Sequence, residues 1–246
     1  MFLIRLFSSL HLIVVFFTLD TACRCSATVV KDLNTQELAV ELRQALCDRF
    51  GGQCPAAVVN LLHRRKLDAN RPVDEATFGD PEAVDAYNAY HGDIADERAA
   101  IAPGKGLYID IHGHGHSIQR AELGYLVSAD ELNSGNPIDP TTTSIRDLAL
   151  VVGGVFDRLL RRDISFGGFL EAEGFAAVPS PSDLGPGTAS YFSGGYSTET
   201  HGSVYGGGVD GIQIESPSSF RELPTRNAYV TALVNTIANY LATNFP

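Results

Sequence analysis

Apolar and polar positions recur along this chain with two periods, and the period changes several times. From Thr35 to Phe50, Leu38, Leu42, Ala45 and Leu46 fall on one face of a helix, and Gly51-Gly52 stops the pattern. Pro55 then introduces the apolar run Ala56 to Leu62, which reads as a short strand buried on both faces. Asp80-Pro81 is a good N-cap and first-turn pair for a helix carrying Val84, Tyr87, Ala89 or Tyr90, and Ile94, ending before Pro103-Gly104. Leu107 to His112 is a second strand, and Leu123 to Val127 a third. The stripe Ile145, Leu148, Val151 or Val152, Val155 and Leu159 predicts one helix from Ser144 to Arg161. Pro179 to Gly208, rich in Gly, Ser, Pro and Tyr, reads as a long surface loop, and loops of that length in compact domains usually carry function. Gly211 to Glu215 is a further strand, and Asn227 to Asn244 a closing amphipathic helix.

Alternating helices and strands predict an α/β fold, with a mixed, largely parallel sheet and helices on both faces. At 246 residues the chain can bury a full core as one domain, and there is no internal repeat or linker to divide it. The net charge of −11 disfavours a nucleic-acid partner, since an acidic chain repels a phosphate backbone. An anionic substrate would need local cations, and the dense basic stretch is His63-Arg64-Arg65-Lys66.

Residues 1–27 read as a signal peptide. Arg5 supplies the positive start, Leu6 to Leu19 is mostly apolar, and Cys25-Ser26-Ala27 offers small residues at a cleavage site. The apolar run is shorter than the ~20 residues that span a bilayer, so secretion is expected rather than a stable membrane anchor. Residues 28–246 are then the mature domain. Of the four cysteines, Cys23 and Cys25 would leave with the leader or sit at its end. Cys47 and Cys54 flank Gly51-Gly52 and are expected to pair in an oxidising compartment, the alternative being two buried thiols.

Three constellations stand at predicted strand ends, where α/β sheets place ligands. In Asp110-Ile111-His112, alternate residues share a face, which suits a metal-binding imidazole and a carboxylate partner, or merely a His-decorated loop. In Arg64 to Arg71, the guanidinium groups and Asn70 suit recognition of a carboxylate, or a solvated basic edge in which Asp68 holds an arginine. Glu215 ends an apolar strand; facing His112, it could take a proton from an activated water, though such carboxylates are more often paired structurally. No Gly-x-Ser-x-Gly elbow is present, which disfavours a serine nucleophile.

The ordered set Asp68-Ala69-Asn70-Arg71, Ile109-Asp110-Ile111-His112 and Ile212-Gln213-Ile214-Glu215 resembles the N-formylglutamate amidohydrolase family, and more distantly the zinc carboxypeptidases. Ser193-Gly194-Gly195-Tyr196 is similar to that family's Gly-Gly-Tyr loop, and the resemblance runs from about Asp32 to Phe245. It implies a zinc-carboxypeptidase-like fold and a Zn²⁺-dependent hydrolysis of an N-acyl acidic amino acid or related amide. By the same resemblance His112 and Asp32 bind the metal, with Glu37 the less favoured acidic choice, and Glu215 is the general base. Arg64, Asn70 and Arg71 hold the substrate carboxylate, and Tyr196 closes over it. The family's upstream His-Gly strand, which supplies another metal ligand, has no counterpart here: the signal-like segment stands in its place. The resemblance therefore implies either a site short of one ligand or a chain whose N-terminal part lies elsewhere. His114, His116, His91 and His201 are the candidate substitutes. The alternatives are a secreted carboxypeptidase-like peptidase and a binding module that keeps the arginines without the metal.

Overall fold

A computed structural model describes residues 30, 32–101 and 106–245 in full, and residues 2–5 and 12–14 by their backbone. The remainder of the signal-like segment, with Cys23, Cys25 and the expected cleavage site, lies outside the described residues, as does Pro103-Gly104. In chain order the elements are β1 (Phe2–Arg5), β2 (Leu12–Val14), α1 (Thr35–Arg49), β3 (Ala56–Val59), α2 (Val73–Thr77), α3 (Pro81–Ala99) and β4 (Gly106–His114). There follow β5 (Ala121–Gly124), α4 (Ala129–Asn133), α5 (Arg146–Val152), α6 (Phe156–Arg161), α7 (Phe166–Ala172) and β6 (Ala177–Val178). The chain ends with α8 (Tyr196–His201), β7 (Val209–Pro217), α9 (Ser218–Arg221) and α10 (Thr225–Asn244).

The strands form one mixed sheet in the order β2-β3-β1-β4-β7-β5-β6. β4 and β7 are parallel along their full lengths; β2 with β3 and β5 with β6 are parallel too, whereas β1 runs against both β3 and β4, and β5 against β7. Helices cover both faces, so the expected α/β class is the one found. On one face Leu107, Ile109 and Ile111 of β4 and Ile212 and Ile214 of β7 pack against α1 and α10, including Leu38, Leu42, Leu46, Leu233 and Ile237. Each such leucine or isoleucine, fully buried, contributes about 1.5–3 kcal/mol. On the other face Tyr108 and Val209 meet Val58 of β3 and Ile94 of α3. Strand alternation then fixes what accompanies them: Asp110 and His112 share the face of Tyr108, and Gln213 and Glu215 that of Val209.

Local chemistry explains where the elements depart from expectation. The strand from Ala56 stops at Val59 because Asn60 turns its side-chain oxygen onto Leu62 N at 2.9 Å. The stretch Ser144 to Arg161 is not one helix. Gly153 takes φ +63°, and a 3-10 turn over Gly153–Val155 separates α5 from α6, leaving Val151 exposed. The third strand begins earlier than expected, at Ala121, and the chain turns away by Leu126, at φ +64°. The Pro179 to Gly208 stretch is no plain surface loop, since it contains α8 and buries Ser197, Thr198, His201 and Ser203. Cys47 and Cys54 are disulfide-bonded, joining the end of α1 to the start of β3. Asp80 caps α3 by accepting from Ala83 N, as its sequence implies. No helix among the described residues is long and apolar enough to cross a membrane.

Candidate active site

The parallel register of β4 and β7 sets Asp110 beside Gln213 and His112 beside Glu215. The antiparallel register of β5 then sets Glu122 on the far side of Glu215. His112, Glu215 and Glu122 thus form a row across one face, at the C-terminal ends of the two parallel strands.

His112 stands between two carboxylates. Its Nδ1 lies 3.1 Å from Asp32 Oδ2, and its Nε2 lies 3.2 Å from Asp110 Oδ2, with Asn70 Nδ2 at 3.5 Å. Burial disfavours the charged ring, yet Asp110, Asp32 and Glu215 together outweigh it and hold His112 well above its ordinary value. Burial likewise pushes Asp32 upward, but His112, Arg64 and the Gly113 N–H reverse the sign and keep its carboxyl below the usual range. Glu215 goes the other way. It is 5% exposed, burial is the main cause, Asp32 and Asp110 add to it, and the carboxyl is pushed up to about 7. Gln213 Nε2 donates to its Oε1 at 2.9 Å, and Oε2 has no partner among the described residues.

Asn70 is placed by the Gly-Gly-Tyr loop. Its side-chain oxygen accepts from Ser197 N at 2.8 Å, and a Cβ on Gly195 would stand 2.4 Å from its Nδ2. Gly194 lies against β5 so closely that a Cβ on Gly124 would meet its nitrogen at 2.4 Å. The two glycines let the loop rest on the sheet and still leave room for the Asn70 amide.

A cavity of about 420 Å³ opens beside this group, walled by Asp32, Arg64, Asn70, Asp110 and His112 among others. Arg64 gives Nη2 to Asp68 at 2.9 Å and approaches Asp32 at 3.9 Å. The structure therefore brings together Asp32, Arg64, Asn70 and His112, with Glu215 as the neighbour of His112. Arg71 is set apart: its side chain is 55% exposed and among the described residues it approaches only Asp68, at 4.0 Å. Tyr196 begins α8 and packs on the cluster of Leu67, Ala86 and Tyr87, its ring edge-on to His91 at 5.8 Å. Neither is a wall of the cavity, and Glu215 stands behind His112 without lining it.

Both ring nitrogens of His112 face carboxylates, so a metal on Nδ1 beside Asp32 would have to take the place of the ring's proton there. Asp110 stands behind the other ring nitrogen of His112, the outer-shell arrangement that metal-bound histidines commonly show. A different group, His114, His116 and Glu122, brings three donor atoms within 4.8 Å of one another and could hold a metal ion. Its His114 is already engaged, because Nδ1 accepts from His116 N at 3.1 Å and Nε2 faces Arg120 O at 2.9 Å. That leaves the proton on Nε2, so a metal there would have to displace a satisfied bond.

Sequence reasoning named His114 and His116 as substitutes but missed Glu122; an acid inside the apolar stretch around Leu123 was the available signal. It also missed the pairing of His91 with His201. Their ring nitrogens are 2.7 Å apart, and His91 Nε2 donates to Ala69 O at 3.0 Å. Burial, then His91 and Arg98, lower His201 to about 3, so the pair is neutral and steadies the backbone just before Asn70. No local signal could have joined residues 110 positions apart. No protein-family model, curated protein or solved structure matches the chain.

Proposed function

We propose that the chain is a hydrolase of amides that carry a carboxylate, of the N-formylglutamate amidohydrolase type, with Glu215 as its proton acceptor. The observation that carries this reading is the pairing of Glu215 with His112 across β4 and β7, with one carboxylate oxygen of Glu215 unpartnered among the described residues. A carboxyl near 7 can take a proton from water and release it again at neutral pH. His112, held charged between Asp32 and Asp110, places a positive group beside Glu215, where it steadies negative charge developing on a carbonyl oxygen. Asn70, locked by Ser197 N, keeps its amide on the cavity wall beside the same ring.

The cavity suits a molecule the size of an acylated amino acid. Arg64 is the guanidinium on its wall, and a substrate carboxylate would exchange with Asp68 for the same fork. Arg71 and Tyr196 stand further off, as residues that would engage a substrate from outside. Zinc is the metal proposed, since it takes mixed imidazole and carboxylate donors; Asp32 and His112 would be two of them, the ring giving up its Nδ1 proton so that the metal replaces its positive charge. Bound, it would act as a Lewis acid on the carbonyl and make a nearby water more acidic. Residues 2–5 and 12–14 stand in the sheet as β1 and β2, with β1 paired to both β3 and β4, so removing residues 1–27 as a leader would take two strands from it.

The test is a substrate panel offered to the purified chain with zinc supplied: N-formylglutamate, N-acetylaspartate, their side-chain amides, and short peptides. The reading expects hydrolysis of the acidic N-acyl compounds and at least about tenfold less for the amides, a cost of about 1.4 kcal/mol for losing one charged contact. Preference for peptides with a free C-terminus would favour the carboxypeptidase-like alternative. Binding of these acids without turnover would favour the non-catalytic module.

A further inference from the structure

The face that carries His112 and Glu215 continues one strand further. Glu122 lies opposite Glu215 in the antiparallel pairing of β5 and β7, so the two side chains are close neighbours, with Cβ atoms about 5 Å apart. Glu122 is 1% exposed, and both its oxygens are engaged: Oε2 accepts from Phe192 N at 2.8 Å, and Oε1 meets His116 Nδ1 at 2.7 Å. The His116 ring lies nearly flat on Phe192, with centroids 4.8 Å apart and an interplanar angle of 13°.

These contacts fix the imidazole in plane and in tautomer. An ionised carboxylate only accepts, so the proton between the two belongs to His116 Nδ1, which leaves Nε2 as the working nitrogen. Unlike buried His114, the His116 side chain is 26% exposed. A buried carboxylate beneath a partly open histidine is a costly way to hold a loop, since an apolar side chain would do so without desolvating a charge. It is the relation of an acid–base imidazole to the group that orients it.

We propose that His116 is a second proton-transfer residue of this site, acting through Nε2 and positioned by Glu122. The proposal rests on the amide-hydrolysis reading above. As Glu215 takes a proton from water, the hydroxide oxygen bonds to the carbonyl carbon and the C=O pair moves onto oxygen. When the C–N bond breaks, its electron pair stays on nitrogen, which takes a proton from Nε2 of doubly protonated His116. The proton on Glu215 then passes through water to His116, leaving one acid and one amine.

The experiment compares wild type, H116A, H116Q and E122Q on N-formylglutamate across pH, with and without added imidazole. H116A and H116Q are expected to lower kcat by ~10²–10⁴ with KM little changed, and to remove one limb of the pH–rate profile. Free imidazole restores part of the H116A loss, which a structural histidine would not allow. E122Q keeps the ring but not its tautomer, so it also lowers kcat and gains nothing from imidazole. An H116A enzyme within severalfold of wild type, or a loss that imidazole leaves untouched, overturns the proposal. Nitrogen NMR of wild type at alkaline pH, where the ring carries a single proton, decides the dyad independently of turnover: that proton on Nδ1 supports it, and that proton on Nε2 sinks it. Absence of turnover in wild type and variants alike would count against the hydrolase reading, with the NMR result still deciding the dyad.

Discussion

Replacing Glu215 by glutamine should separate the group's two costs, because the feature that makes it a base also strains the fold. Burial raises its carboxyl from 4.5 to about 7, so the folded chain binds that proton more tightly than the unfolded chain does. Below pH 4.5 both states hold the proton and the group costs nothing. Between pH 4.5 and 7 the unfolded state ionises first, and folding stability falls by about 1.4 kcal/mol per pH unit. Above pH 7 the loss levels off at about 3 kcal/mol, the product of the shift and that slope. At 5% exposure, solvent screening takes little from this figure. The glutamine amide never ionises, so the stability difference between variant and wild type should grow in the variant's favour by about 3 kcal/mol from pH 4 to pH 8. For a chain of this length that is a relative shift in Tm of roughly 6–12 °C. A constant offset from rearranged hydrogen bonds does not affect the slope. The assay is thermal or urea unfolding of both proteins in chelator at several pH values. A difference independent of pH would refute the claim that Glu215 is buried at a raised pKa.

Gly195→Ala places a methyl group 2.4 Å from the Asn70 amide, so Asn70 must leave His112; turnover should fall tenfold or more, with about 1–3 kcal/mol of stability lost in urea titrations. Arg64→Lys should lower kcat/KM for acidic substrates far more than for their amides, because the bidentate fork is gone, whereas Arg71→Lys, at a half-exposed position, should lower it less; equal effects would put the carboxylate elsewhere. Breaking Cys47–Cys54 by Cys47→Ser opens a loop of sequence separation 7 and should cost about 2 kcal/mol, measured by urea unfolding.

Much of this architecture was legible in the sequence where one physical requirement dominated. β4 and β7 are central and parallel, so their apolar runs left little room for another reading, and α1 and α10 carry long stripes facing a single core. The placement of Asp110 beside His112 followed from alternation alone. Less was legible where contacts are distant. The Gly153 turn that breaks Ser144 to Arg161 depends on a positive φ that an apolar stripe does not reveal. α8 is short and polar, and it is buried because His91, Asn70 and Gln213 hold its side chains and backbone. Strand order decided the site as well: the row His112, Glu215, Glu122 exists only once β7 is inserted between β4 and β5.

The central claim is that Glu215 takes the proton in an amide hydrolysis beside His112. Its most direct test is the turnover of N-formylglutamate by zinc-supplied wild type and Glu215→Gln, measured in parallel under saturating substrate at about pH 7.5, where a base titrating near 7 is mostly ionised. The account predicts a kcat for the variant lower by ~10² or more, with substrate binding retained. Turnover within severalfold of wild type would contradict it.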